Sequence, residues 1–324
     1  MIPNAHIQAW STVAPWPDPR QIEQDLIICR ALCDLFNAPA LQGKIAFRGG
    51  TAINKLLFKA PMRYSEDIDL VQIQGEPIGE TVDAIRESLA WLGKCGREQA
   101  GHSMHLIFKF APEADPQTTL KLKVEINTRE HQNLLGIRHY PFAVTNDWYK
   151  GETSIASFEP EELFGTKLRA LLQRRKNRDL FDLEHGLDQL GLDPGRVIAC
   201  FDHYLALEEK SISRAVAEQR MLEKLQRSLV EDIAPLLPAG IRFNNDDALR
   251  AFERVWNELI VRIGGEAWKL TEKAVESFRE KGYPNLLHVR GAGGAGGEVR
   301  EPSPAVGSAL PVEATAMPTG EAPA

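Results

Sequence analysis

The 324-residue chain has little cysteine. Its four residues, Cys29, Cys33, Cys95 and Cys200, are too few and too scattered for a framework of disulfide bridges. A reducing, cytoplasmic compartment is the simplest expectation. No apolar run approaches the ~20 residues that span a bilayer, and residues 1–6 contain no basic stretch leading into an apolar core. Neither a membrane helix nor a signal peptide is therefore expected. Positive charge is also scarce, with 38 Lys and Arg against 45 Asp and Glu and a net charge of −7. That balance argues against a protein that coats nucleic acid indiscriminately. Hydrophobic and charged fractions of 43% and 26% are those of an ordinary globular chain, which excludes a wholly disordered or collagen-like protein.

The few cations are unevenly placed. Residues 167–178 hold six of them without an acid, namely Lys167, Arg169, Arg174, Arg175, Lys176 and Arg178; the rest of the chain carries 32 cations against 45 acids. One basic stripe on an acidic protein points to a local anionic ligand, such as phosphate.

Three segments are expected. Residues 1–155 alternate short helices and strands, as in an α+β domain with a mixed sheet. A helix over 20–36 begins at Asp18 and Pro19; strands follow at 44–48, 67–73, 103–110 and 120–127, with helices at 51–58 and 78–93 between them. Residues 156–290 read as all-helical, with helices at 160–176, 178–190, 195–207, 213–237, 246–263 and 266–281, the fifth capped by Asn245. Residues 291–324 are a tail in which Gly, Ala and Pro supply 20 of 34 positions, a composition expected to be disordered.

Chemistry concentrates in residues 47–70. On a strand, Asp67 and Asp69 face the same way, and two carboxylates on one face repel unless a cation joins them. Such hard oxygen ligands suit Mg²⁺ or Mn²⁺. Upstream, Gly49, Gly50 and Thr51 lie between a strand and a helix, where outward N–H groups make a nest for phosphate; Thr51 adds a hydroxyl. The strand at 120–127 alternates strictly and places Lys121, Lys123, Glu125 and Asn127 opposite its apolar face. If it neighbours the Asp67 strand, Glu125 becomes a third carboxylate. Three carboxylates beside a phosphate nest suit nucleotidyl transfer. Lys167 falls within the apolar stripe of its helix and needs an anionic partner, which a nucleoside triphosphate would supply.

Taken together, the runs GGTAINK, RYSEDIDL, KVEIN and GTKLRALLQRRKNRDLFDL, with the opening helix QIEQDLIICRALCDLF, resemble the AbiEii toxin family. These are nucleotidyltransferase-like toxins of type IV toxin–antitoxin systems, to which the mycobacterial MenT toxins are similar. The resemblance implies a DNA-polymerase-β-like nucleotidyltransferase domain followed by an all-helical domain. It implies transfer of nucleotides from NTP to an RNA acceptor, characteristically the tRNA 3′ end, and a cognate antitoxin. Carried over residue by residue, Gly49, Gly50, Thr51 and Ser65 hold the nucleotide and Asp67 and Asp69 bind metal, with Glu125 near. Lys167 meets the triphosphate, and the later acid is Asp179 or Asp182. Arg169, Arg174, Arg175, Lys176 and Arg178 are candidates to guide RNA. Fifteen residues separate Thr51 from Asp67, where simpler nucleotidyltransferases have about ten.

Plainer readings stand beside these. Glu125 can pair with Lys121 or Lys123, Lys167 with Glu161 or Glu162, and Arg178 with Asp182 four residues on. Cys29 and Cys33 lie on an apolar stripe and belong to the core. His102 and His105 have opposite parity and receive no role. Transfer to a small molecule or a protein hydroxyl, and nucleotide binding without turnover, remain the rival functions.

Overall fold

The structure, a computed structural model, describes residues 2–101 and 103–287; the expected tail and His102 lie outside the described residues. The described residues fall within one compact unit.

Helix α1 (Asn4–Trp10) precedes α2 (Pro19–Asn37). The Asp18 carboxylate caps α2, accepting from the Arg20 backbone N–H at 2.9 Å, with Pro19 in the first turn. Then come β1 (Ile45–Arg48), α3 (Gly49–Leu56), β2 (Asp67–Gln72), α4 (Gly79–Ser88), β3 (Cys95–Ala100), β4 (Ser103–Phe110), β5 (Leu120–Asn127), β6 (Ile137–Asn146) and β7 (Tyr149–Phe158). The strands form one mixed sheet in the order β3-β4-β5-β2-β1-β7-β6. The β1–β7 and β2–β5 pairs are parallel and the others antiparallel.

Period-two alternation sorts the sheet's faces. Phe47, Ile68, Leu70, Leu122, Val124 and Ile126 join the buried cluster that α2 covers. Cys29 and Cys33 are buried there as free thiols. Each fully buried Leu or Ile contributes ~1.5–3 kcal/mol, so this face fixes the strand register. On the opposite face, Ala46 and Val71 pack with the helical half. Asp67 and Asp69 share parity with Val71 and so project toward that half.

The helices are α5 (Pro160–Gln173), α6 (Arg178–Gln189), α7 (Pro194–Ala206), α8 (Arg214–Lys224), α9 (Asn245–Glu258) and α10 (Thr271–Glu280). The helices expected at 78–93, 246–263 and 266–281 shorten to α4, α9 and α10, β3 is not among the expected strands, and three further expectations change. The helix over 213–237 stops at Lys224, and a separate short turn, Ala234–Leu236, opens over Pro235, which cannot continue a helix. The cap of α9 is Asn244, whose side chain accepts from Asp246 and Asp247 in a capping box, and not Asn245. The β6–β7 hairpin was hidden in the sequence. Its turn, Asp147 and Trp148, lacks glycine, and Pro141 interrupts β6, which a strand at the sheet edge tolerates.

Candidate active site

The register of β2 against β5 decides whether Glu125 belongs to the site. Asp69 lies directly opposite Glu125, and Asp67 opposite Lys123. Three carboxylates therefore share one patch of one face, as alternation along β5 requires. Next door, Arg48 of β1 lies opposite Asp69 and His105 of β4 opposite Glu125. A row of Arg48, Asp69, Glu125 and His105 crosses four strands.

This patch is short of positive charge at its centre. Burial, reinforced by the charges of Asp67 and Glu125, pushes the Asp69 carboxyl up from its ordinary range against the pull of Lys167 and Lys123. Lys123 Nζ lies 3.2 Å from Asp67 Oδ2 and 3.1 Å from Glu125 Oε2. His105 Nε2 is 3.3 Å from the same Glu125 oxygen. Burial raises the Glu125 carboxyl, yet Lys123 outweighs it and the net direction is downward. Among the described residues no three His, Cys, Asp or Glu side chains form a ready-made metal cage. The donor set nonetheless fits a hard divalent ion: carboxylates that repel one another, with an ammonium already drawn between two of them as a stand-in cation.

The glycine turn abuts this patch. Gly49 has φ +81°, the left-handed region that favours glycine, and a Cβ there would stand 1.9 Å from Asp69 Oδ2. A Cβ on Gly50 would meet the Arg63 guanidinium at 2.7 Å and come within 3.5 Å of Lys167 Nζ. Only hydrogen at both positions leaves the floor open. No side chain caps α3, so the first N–H groups of this eight-residue helix are unclaimed by a cap and suit a phosphate. Thr51 and Ser65 serve the turn's architecture. Thr51 Oγ1 lies 2.5 Å from the Asp67 carbonyl oxygen and 2.8 Å from Ser65 Oγ, which ties α3 to the start of β2.

The long spacing before Asp67 has a structural use. Asn54 of α3 donates to the Gly50 carbonyl at 2.9 Å and accepts from the backbone N–H groups of Met62 and Arg63 at 3.2 and 3.3 Å, pinning the connecting loop. The pinned loop delivers Arg63, 2% exposed, to Asp182, with two bonds of 2.7 Å. Lys167 Nζ joins them, 2.9 Å from Asp182 and 3.1 Å from Asp179. Both acids are thus brought to Lys167. Burial raises the Asp182 carboxyl, but Arg63 and then Lys167 outweigh it and hold it well below the carboxylate range. Asp179 keeps one buried oxygen, Oδ2, without a hydrogen-bond partner.

The expected basic stripe divides. Arg169 is 9% exposed and turned inward, 2.8 Å from Glu130 and 2.9 Å from Glu208, so it is not presented to RNA. Arg174, Arg175 and Lys176 are exposed and Arg178 is half-buried. The Arg178–Asp182 helix pair is not made, because Asp182 faces Arg63 and Lys167. Nor does Lys167 pair with Glu162, which accepts from the backbone of Leu134 and Leu135.

The model of the nucleotidyl transferase AbiEii toxin family, type IV toxin–antitoxin system, matches residues 30–258, a span that contains the turn, all three carboxylates and the Lys167 cluster. The chain belongs to that family. Among solved structures, this AbiEii chain is similar to MenT4, a nucleotidyltransferase toxin from Mycobacterium tuberculosis. The two share 14% identity over 87% of this chain and 97% of that one, with a TM-score of 0.57, which shows a shared fold. JHP933 from Helicobacter pylori is 15% identical over 82% of this chain and 98% of its own, with a TM-score of 0.47. A comparison with curated protein sequences finds no match. The AbiEii toxin is a nucleotidyltransferase; its family implies a nucleoside triphosphate substrate, a divalent metal and an antitoxin partner.

Arg48, Arg63 and His105 of this AbiEii chain escaped the sequence reading. Arg63 carried a signal: it opens the motif run RYSEDIDL. Arg48 and His105 acquire their place only from strand order, which no local pattern discloses.

Proposed function

We propose that the AbiEii chain transfers a nucleotide from a nucleoside triphosphate to the 3′ hydroxyl of an RNA, with tRNA as the acceptor, in the cytoplasm, and that its antitoxin restrains this activity. One observation carries the proposal: Asp69 and Glu125 stand opposite each other in register, with Asp67 on the same face and the Gly49–Gly50 turn against Asp69. Asp67 and Asp69, with Glu125 beside them, would hold Mg²⁺, which supplies charge neutralisation at the triphosphate and activation of the hydroxyl. The N–H groups opening α3 take the phosphate oxygens. Lys167 would meet the triphosphate: Asp179 and Asp182 hold its ammonium on the side of Gly50. The acceptor oxygen bonds to the α-phosphorus, the bond to the bridging oxygen breaks, and pyrophosphate leaves. Asp69, central in the row between Arg48 and Glu125, is the carboxylate placed to receive the hydroxyl proton.

The test is label transfer from each α-labelled nucleoside triphosphate to total tRNA in the presence of Mg²⁺. Label on tRNA that chelator abolishes is the expected result and identifies the nucleotide. Label on protein or on an added small hydroxyl compound alone would refute the RNA acceptor.

A further inference from the structure

A groove of about 900 Å³ lies between the C-terminal end of α5, the segment after α7, α8 and the turn that follows α8. Six of its lining residues are cationic, Arg174, Arg175, Lys210, Arg220, Lys224 and Arg227, against one acid, Glu223. In a chain with a net charge of −7, that concentration needs an explanation.

Half of it is internal. Arg220 donates to the Leu172 carbonyl at 3.1 Å and Lys224 to the Arg174 carbonyl at 2.9 Å, so both complete the carbonyl end of α5. Lys210 pairs with Glu208 at 2.8 Å. Arg174, Arg175 and Arg227 are left. All three are exposed, and none has an acidic partner among the described residues. Their backbone is fixed: Asp232 accepts from the Asn177 N–H at 2.8 Å, and the Asn177 amide donates to the Ser228 carbonyl at 3.0 Å, locking the α5–α6 turn to the segment after α8. Three like charges held around one concavity repel one another, and Glu223, which accepts from Gln219, is the one acid in the lining to offset them.

The lining also says what kind of anion fits. Leucines and an isoleucine form part of the floor, and no lining residue is aromatic. Stacking platforms for bases are therefore missing, and guanidiniums on a rim suit phosphates. Helix α5 connects this groove to the transfer site: Lys167 and Arg174 are seven residues apart, ~10 Å along the axis, which is a few nucleotides at ~3.4 Å per strand step.

We propose that this groove clamps the phosphate backbone of the acceptor RNA a few nucleotides from its reacting end, through Arg174, Arg175 and Arg227, without reading bases. The proposal rests on the RNA acceptor argued above. It adds α8 and the turn after it to the substrate surface, and it makes acceptor choice a matter of shape and charge.

The experiment measures binding of fluorescently labelled total tRNA to the full chain across a salt series, for the wild type and for Arg174→Glu/Arg175→Glu/Arg227→Glu. The milder Arg174→Gln/Arg175→Gln/Arg227→Gln guards against misfolding. Expected are affinity on the order of 100-fold weaker at low salt for the Glu variant and a slope of log K against log salt shallower by about 2 for the Gln variant. The shift in melting temperature produced by nucleoside triphosphate should be unchanged in both. Wild-type affinity and slope in both variants, with tRNA still labelled, would overturn the groove and leave the acceptor standing. A wild-type chain that neither binds nor labels tRNA would overturn both.

Discussion

Two groups of charged side chains lie on either side of the Gly49–Gly50 turn, and they are built oppositely. On the open sheet face, Asp67, Asp69 and Glu125 crowd together with too little positive charge, and Asp69 bears the cost as a carboxyl pushed upward. Beneath the turn, Arg63 and Lys167 meet Asp182 and Asp179 at 2.7–3.1 Å, and Asp182 is held ionised well below its usual range. The first group is incomplete without an outside cation. The second is complete except for one oxygen of Asp179 and acts as the mount on which Lys167 is aimed. Like residues do opposite work according to how their neighbours neutralise them.

That contrast predicts opposite mutational behaviour. Asp67→Asn/Asp69→Asn should lower transfer on the order of 1,000-fold or more, about 4 kcal/mol of lost barrier reduction, while its melting temperature stays level or rises because repulsion is relieved. Asp182→Asn should do the reverse. Leaving Arg63 and Lys167 buried without their shared partner costs about 3 kcal/mol of stability, read by denaturant unfolding, and transfer falls less than in the carboxylate variant, through the weakened fold and the looser hold on Lys167. Equal destabilisation by both variants would erase the distinction between the two groups.

Smaller changes sharpen it. Gly49→Ala should cost about 1–2 kcal/mol through its left-handed backbone and reduce transfer by displacing Asp69, which a thermal melt and a rate measurement separate. The pH dependence of folding tests a third cluster. Burial raises the Glu130 carboxyl, but Arg48 and Arg169 outweigh it and bring it down to about 2. A value below the unfolded ~4.3 means that its stabilisation is present above that pH and fades as pH falls toward 2. Glu130→Gln should therefore flatten the acid limb of the unfolding curve and reduce stability at neutral pH.

The sequence made much of this legible, for identifiable reasons. The Asp18 cap, the alternation of 120–127 and the Asp67–Asp69 pairing are local patterns, and each has its counterpart in the structure. Glu125 was conditional on strand order, and the β2–β5 register meets the condition. What stayed hidden was non-local. Arg169 shares a stripe with Lys167 and Arg174 in sequence, yet Glu130 and Glu208, brought from 39 residues away on either side, draw it inward. The β6–β7 hairpin lacks the glycine turn and clean alternation that announce a strand pair, since its edge position permits Pro141.

The most direct test of the account is label transfer to tRNA by Asp69→Asn, on protein whose melting temperature is measured in the same preparation. A chain that melts no lower than wild type yet transfers no label is the predicted result: the carboxylate face does the chemistry and does not hold the fold. Retained transfer, or loss of transfer only together with loss of the fold, would contradict it.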